Sequence, residues 1–197
     1  MTELWLVRHG QTDWNLQGRW QGQANDAPGL NDTGFAQALA LLDQLPDVNF
    51  SAIYSSDLLR ARQTAELVAK PLGLTITLEP RLREINLGDW EGMLSDDIQA
   101  HYPRELEERQ HDPFNTRAPK GEAPREVAER ILAVVNEIAL KYPNESVLLI
   151  SHGLALAVII CLAEEIPMDQ VYEHIPDNAK PVYVKWQGKT NPVSKTL

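Results

Sequence analysis

Cysteine is nearly missing from this chain: Cys161 stands alone. A disulfide within the chain and a cysteine-rich metal cluster are thereby excluded, and such sparse use suits a reducing compartment. Long apolar runs are missing too. The longest, Leu154–Ala163, has about half of the ~20 residues a helix needs to cross a bilayer. Met1–Leu6 has neither the basic start nor the apolar stretch of a secretory leader. These features predict a cytoplasmic protein with no membrane partner. Positive charge is in deficit: 18 Lys and Arg against 28 Asp and Glu leave a net charge of −10. That balance argues against broad binding along a nucleic-acid backbone. A small anion is a different case, because a local cluster of Arg and His can hold it inside an acidic protein.

The rest reads as an ordinary globular chain. Its 197 residues, 43% hydrophobic and 23% charged, suffice for one domain with its own core. A single domain over 1–197 is expected, with 187–197 as a flexible tail.

Short apolar runs alternate with helical patterns. Leu4–Val7 reads as a buried strand, broken by Arg8-His9-Gly10. Gln17–Asn31, rich in Gly, Gln, Asn and Asp, reads as a long loop. A helix is predicted over Asp32–Leu45 with Phe35, Leu39 and Leu42 on its apolar face. Ala52–Tyr54 is a second strand, and Asp57 is placed to cap a helix over Leu58–Lys70. Leu74–Leu78 is a third strand, Gly88–Gly92 a turn, and Ser95–Gln110 a helix in two pieces divided at Pro103. A loop over Asp112–Glu122 precedes a helix that Pro124 opens and that Val127, Ile131, Val134 and Ile138 pattern. Ser146–Ile150 is the clearest strand. An apolar helix follows Ser151-His152-Gly153, and Val182–Trp186 is the last strand.

This alternation predicts an α/β, three-layer sandwich: a mostly parallel central sheet with helices on both faces. Ligands in such folds bind beyond the carboxyl ends of the strands. Arg8 and His9 follow one strand, Ser55–Arg60 another, and His152 a third. Residues of phosphate-binding type thus converge on one sheet edge. A neutral imidazole is a competent nucleophile toward phosphorus, and guanidinium groups pair bidentately with phosphate oxygens. A lone histidine is usually a packing or surface residue. The joint pattern, strand–Arg-His-Gly, strand–Ser-Ser-Asp-x-x-Arg and strand–Ser-His-Gly, makes the chemical reading the better one.

With these motifs in order the chain resembles the histidine phosphatase superfamily, the phosphoglycerate mutase-like proteins. Leu6–Asn15 is similar to that family's nucleophile motif and Ser55–Ala65 to its second motif. Leu82–Gly92 looks like its acid/base segment and Ser151-His152-Gly153 like its last. The resemblance implies that His9 becomes phosphorylated, that Arg8, Arg60 and His152 form the phosphate pocket, and that Glu84 protonates the leaving oxygen. Glu91, Asp89 and Glu66 are rivals to Glu84. Asn15 and Gly153 touch the phosphate or shape its pocket, and Gln21 and Gly22 sit near the mouth. The implied activity is a metal-independent phosphomonoester phosphatase acting on small phosphorylated metabolites, with no cofactor. The alternative is a small phosphoglycerate mutase, and behind it a non-catalytic module that binds a phosphorylated ligand. Oligomeric state is not legible.

Other residues receive structural readings. Arg62 is expected at the surface or in an ion pair, and Cys161 in the core. His101, His111 and His174 lack metal-ligand spacing. Trp14, Trp20 and Trp90 flank the motifs, as pocket walls or as core. Arg104, Arg109, Arg117 and Lys120 are expected to be solvated, with contact to a second substrate anion as the alternative. Two departures from the family pattern stand out. Lys120-Gly121-Glu122-Ala123 replaces Gly-Gly-Glu-Ser, with Glu122 left as the loop anchor. Gly22–Leu30 looks longer than usual, with Ala24-Asn25 and Gly29 as the extra material.

Overall fold

The computed structural model describes residues 1–189. Five strands form one sheet: β1 (Thr2–Arg8), β2 (Phe50–Ser55), β3 (Ile76–Leu78), β4 (Ser146–Ser151) and β5 (Pro181–Trp186). Their order is β3-β2-β4-β1-β5. The first four run parallel, and β5 runs antiparallel to β1. β4 is buried along its whole length, as its unbroken apolar run predicts. Its side chains alternate between two cores. Val147 and Leu149 face one, with α6 (Pro124–Lys141) and α7 (Gly153–Glu164). Leu148 and Ile150 face the other, with α3 (Leu59–Leu72). The expected three-layer α/β architecture is what the chain adopts.

The strand order decides where chemistry can gather. β4 lies between β2 and β1, so their carboxyl ends are neighbours. Arg8 pairs with Ser151 across β1 and β4, and Ser55 with Ile150 across β2 and β4. The His9 and Ser56 amides extend these ladders, donating to the Ser151 and Ile150 carbonyls.

Several local expectations are corrected. Ahead of the expected loop lies a helix not read in the sequence: Thr12 caps α1 (Asp13–Gln17), which takes in Gln17, through a reciprocal pair of hydrogen bonds with Asn15. The helix expected over Asp32–Leu45 is α2 (Asp32–Ala40) followed by a 3-10 turn over Leu41–Asp43. Its inward face is Gly34, Ala38 and Leu41, whereas Phe35 and Leu39 are 39% and 55% exposed. The reason is a close backbone crossing. A Cβ on Gly34 would lie 2.1 Å from the Gln11 carbonyl oxygen, and one on Gly10 2.5 Å from the Gly34 oxygen. Only small residues let α2 approach the His9–Gln11 loop, so the bulky side chains turn outward.

Asp57 does not cap α3. Its carboxylate takes a bidentate pair from Arg83 Nε and Nη2 at 2.6 and 2.5 Å, a stronger use of the charge than a neutral amide cap. The Leu58 amide turns to Ser56 Oγ instead. The expected break at Pro103 divides α4 (Ser95–His101) from α5 (Pro103–His111). A 3-10 turn over Met168–His174, not read in the sequence, covers the end of α7. Of the tail predicted from 187, Lys189 is pinned by Asn136 through both its backbone amide and its carbonyl; residues 190–197 lie outside the described residues.

The Lys120–Ala123 departure has a visible consequence. Lys120 has φ 63°, a left-handed conformation that glycine adopts at less cost. Ala123 is the N-cap residue of α6 and makes no side-chain cap, leaving Pro124 and the Glu126 carboxylate, which accepts from the Ala123 amide at 2.7 Å, to start the helix. Restoring a hydroxyl in Ala123→Ser is expected to raise unfolding stability by about 1 kcal/mol. A urea midpoint that fails to rise, with unchanged slope, would contradict that account.

Candidate active site

At the carboxyl ends of the strands lies a cavity of about 320 Å³, small by the standard of metabolite pockets. Its lining includes Arg8, His9, Asn15, Gln21, Gly22, Arg60, Glu84 and Gly153. Every site residue expected from the sequence is thus brought to one place, with His152 directly behind. Its ring centroid is 5.2 Å from that of His9.

His9 is 3% exposed. Its Nδ1 lies 2.7 Å from the Gly10 carbonyl oxygen. A carbonyl only accepts, so Nδ1 carries the proton and Nε2 presents its lone pair. Arg60 Nε donates to that Nε2 at 3.1 Å. Burial, then the charges of Arg60 and Arg8, hold the imidazole well below its ordinary pKa. The ring is therefore neutral at physiological pH, with its Nε2 lone pair accepting from a cation.

Arg60 opens α3 and is buried, yet pairs with no carboxylate among the described residues. Its Nη2 donates to the Gly22 carbonyl at 2.8 Å. Burial lowers its pKa to about 10, so it remains charged near neutrality. Thr64, one turn on, accepts from the Gly10 amide and donates to the Arg60 carbonyl, which couples the helix to the His9 loop. Arg8 Nη1 donates to the Pro176 carbonyl at 3.0 Å. Two buried polar atoms at this end have no hydrogen-bond partner among the described residues: Arg8 Nε and His152 Nδ1. Buried donors are normally paired, so a cluster of unpaired ones marks a place for an acceptor. His152 Nε2 meets Ser56 Oγ at 2.8 Å.

Asn15 and Gln21 have the same internal logic. Asn15 Oδ1 accepts from the Thr12 backbone amide at 3.1 Å, and Gln21 Oε1 accepts the Thr12 hydroxyl at 3.0 Å. Both amide oxygens are occupied, so each residue offers its NH2 group to the cavity.

Glu84 stands opposite. Its Oε1 accepts from the Ile85 amide and its Oε2 from the Leu154 amide, at 2.9 and 3.2 Å. Gly153 leaves close quarters here, since a Cβ would meet the Ile175 side chain at 3.0 Å and lie 3.5 Å from Glu84 Oε2. The rival carboxylates are engaged elsewhere. Glu91 Oε1 accepts from the Gln23 and Leu87 amides, Asp89 pairs with Lys120, and Glu66 pairs with Arg62 at the surface.

Glu122 keeps the anchoring role expected of it, accepting from the Asn86 amide at 2.8 Å. Its partner Arg130 was missed in the sequence. Arg130 donates to the carbonyls of Arg81, Arg83 and Glu84 and to both Glu122 oxygens. The backbone that carries Glu84 is held from below by one guanidinium. Its only sequence signal is a charge on a helix otherwise patterned for the core.

The basic residues of 100–120 divide. Arg104 and Arg117 are exposed, and Lys120 is paired at the surface, as expected. Arg109 is not solvated: it is 9% exposed and lines the cavity. A signal existed, because Tyr102, Leu106 and Arg109 follow an i, i+4, i+7 pattern that puts the arginine on the apolar face of α5. Trp20 joins Arg109 in the lining, Trp90 is core, and Trp14 packs on Gly92. Arg19 and Tyr172 are further lining residues that sequence reasoning did not single out. Among the described residues no three His, Cys, Asp or Glu side chains gather to hold a metal. No helix among them is long and apolar enough to cross a membrane.

Fold and site together define an α/β protein with a cationic oxyanion pocket at adjacent strand ends. The histidine phosphatase superfamily (branch 1) matches residues 4–196, and the chain belongs to it. It is 35% identical over 160 residues to a probable phosphoglycerate mutase, GpmB, of Erwinia tasmaniensis, covering 81% of this chain and 74% of that one. It is 29% identical over 195 residues to phosphoserine phosphatase 1 of Hydrogenobacter thermophilus, covering 99% and 92%. Among solved structures it resembles YhfR of Bacillus stearothermophilus, with a TM-score of 0.84, 33% identity and coverage of 95% and 93%. The superfamily thus includes relatives named as phosphatases and as mutases.

The buried imidazoles predict an acid-linked stability. Burial comes first, then neighbouring charges, in lowering both His9 and His152. Unfolded, both titrate near 6.5; folded, both stay neutral to lower pH. The unfolded state therefore binds more protons below pH 6.5, and stability falls as pH drops through that value. Each histidine contributes a slope of up to about 1.4 kcal/mol per pH unit. Asp57 and Glu79, held low by Arg83 and Arg81, add their losses only below about pH 4. Urea unfolding at pH 7 and 5.5 is expected to show the decline, and His152→Gln to lose about half of it. An identical slope in the variant would refute the assignment.

Proposed function

We propose that this chain is a metal-independent phosphomonoester phosphatase that works through a phosphohistidine on His9. The observation that carries the reading is the neutral His9 ring, whose Nδ1–H is held by the Gly10 carbonyl while Nε2 faces Arg60. In the first step Arg60 Nε–H turns from His9 to a phosphoryl oxygen, the freed Nε2 lone pair attacks phosphorus, the bond to the ester oxygen breaks, and Glu84 gives its proton to the departing alcohol. In the second, Glu84 takes a proton from water as the water oxygen attacks phosphorus. The P–N bond then breaks, its electron pair returns to Nε2, and inorganic phosphate is released.

The charge developing on the equatorial oxygens needs fixed cations. Arg8 and Arg60 supply them, with the Asn15 amide as a further donor. If the Ser56 hydroxyl donates to His152 Nε2, the Nδ1–H of His152 becomes another. This supports a reaction that needs no metal. Gln21 and Gly22 border the rest of the substrate, a small phosphorylated metabolite. The same reading extends to a single domain acting in the cytoplasm, for which the lone buried Cys161 is compatible support.

A second reading, a phosphoglycerate mutase, is favoured by the printed name of the Erwinia relative. A mutase must keep water from the phosphohistidine until a second acceptor arrives. The fuller coverage of the phosphatase-named relative, 92% against 74%, supports hydrolysis. Incubation with 3-phosphoglycerate and a trace of the bisphosphate is expected to release phosphate without forming 2-phosphoglycerate; accumulation of that isomer would favour the mutase.

His9→Ala is expected to lower kcat/KM on p-nitrophenyl phosphate by at least about a thousandfold, while a chelator leaves the wild-type rate unaltered. Retained activity in the variant, or loss with the chelator, would sink the mechanism. Glu84→Gln is expected to slow alkyl phosphates by about 100-fold or more and p-nitrophenyl phosphate much less, because nitrophenolate leaves without a proton. Equal losses on both ester classes would remove Glu84 from the acid role.

A further inference from the structure

Arg109 is a buried guanidinium without a counter-anion. It is 9% exposed, forms no ion pair among the described residues, and its Nη1 is buried with no hydrogen-bond partner among them. Three rings surround it, with Cζ 5.0 Å from the centroid of Tyr172, 5.4 Å from Trp20 and 5.6 Å from Trp90. Cation–π contact offsets part of the desolvation but supplies no acceptor. Its Nη2 donates to the Tyr172 hydroxyl oxygen. The tyrosine proton must then point elsewhere, and no acceptor for it is present among the described residues. Arg109 and Tyr172 both line the same cavity as His9.

The charge balance of the cavity points the same way. Four guanidiniums, from Arg8, Arg19, Arg60 and Arg109, line it against one carboxylate, Glu84, in a chain of net charge −10. A phosphoryl dianion bound by Arg8 and Arg60 answers two of the four. Arg19 is turned to Gln17 and the Gly92 carbonyl. Arg109 remains, beside a hydroxyl with a proton to give.

We infer that Arg109 and Tyr172 form a second oxyanion subsite, which binds a carboxylate on the substrate while its phosphoryl group lies at His9. A planar carboxylate matches the guanidinium fork, and Tyr172 O–H gives a second donor to it. The aromatic walls keep water away and strengthen the pairing. With a cavity of about 320 Å³, the substrate class is a small phosphorylated acid rather than a neutral phosphorylated alcohol or a bulky nucleotide. The inference rests on the phosphatase reading for the place of the phosphoryl group, and its test does not need turnover.

Calorimetric titration with 4-phosphonobutanoate and with butylphosphonate compares equal chains with and without the carboxylate, neither hydrolysable. The wild-type protein is expected to bind the first at least tenfold more tightly. Arg109→Met, which keeps the packing volume but not the charge, is expected to bring the ratio to about one, and Tyr172→Phe to an intermediate value. A wild-type ratio within twofold overturns the subsite, and this requires no variant to fold. So does an Arg109→Met ratio equal to that of the wild type, the result expected if Arg109 only cements α5 to the aromatic rings. Preference for the carboxylate in a protein that releases phosphate from no ester would sink the phosphatase reading and leave the subsite standing.

Discussion

A buried guanidinium nitrogen donates to a buried imidazole nitrogen, and most of the site is arranged around that contact. Arg60 Nε and His9 Nε2 lie 3.1 Å apart with both side chains almost fully enclosed. The contact requires the ring to be neutral and of one tautomer: burial and the charges of Arg60 and Arg8 keep it neutral, and the Gly10 carbonyl fixes the tautomer. It also requires a cation to survive burial without a carboxylate. The Gly22 carbonyl meets part of that demand, and burial moves the guanidinium only to about 10, short of losing its charge. Thr64 then ties the helix bearing Arg60 to the loop bearing His9. An oxyanion entering the cavity would meet donors already paid for by folding, which is electrostatic preorganisation in its usual sense.

The same economy of contacts governs the side of the cavity that Glu84 occupies. Glu84 sits on an irregular segment with no regular hydrogen-bond ladder of its own. Three carbonyls of that segment are held by Arg130, the Glu84 carbonyl also accepts from Gln23, and Glu122 takes the Asn86 amide. The loop that carries Glu84 is thereby held at successive backbone groups, as a strand would be. Asp57 and Arg83 fasten its outer side. These partners come from three separated stretches of chain, around Gln23, Asp57 and Glu122–Arg130, so their effect on Glu84 exists only once those stretches have packed.

Acidic overall charge and a cationic cavity are compatible because the two are separated by burial. Exposed Asp and Glu side chains are screened by solvent and salt. Arg8, Arg60 and Arg109 lie in a poorly screened interior, where the same charges act strongly over a few ångströms. A net negative chain and a cationic cavity thus coexist without cancelling each other.

How much of this was legible in the sequence follows from the range of each interaction. β4 could be read from Val147–Ile150 because a strand buried on both faces must be apolar at every position. The gathering of His9, Arg60 and His152 could be read because parallel strands align their carboxyl ends. Local hydrogen bonding was harder: Asp57 left its expected cap for Arg83, 26 residues away, and Phe35 and Leu39 turned outward because Gly10 and Gly34 bring two backbones together. Arg109 was misread as solvated, since a long polar helix gives weak notice of the three rings awaiting one of its charges. By itself the sequence determined the family, the layer order and the residue types at the strand ends, all of which depend on local pattern. Tertiary structure alone decided the tautomer of His9, the frame under Glu84 and the burial of Arg109, because each depends on groups that meet only when distant segments pack.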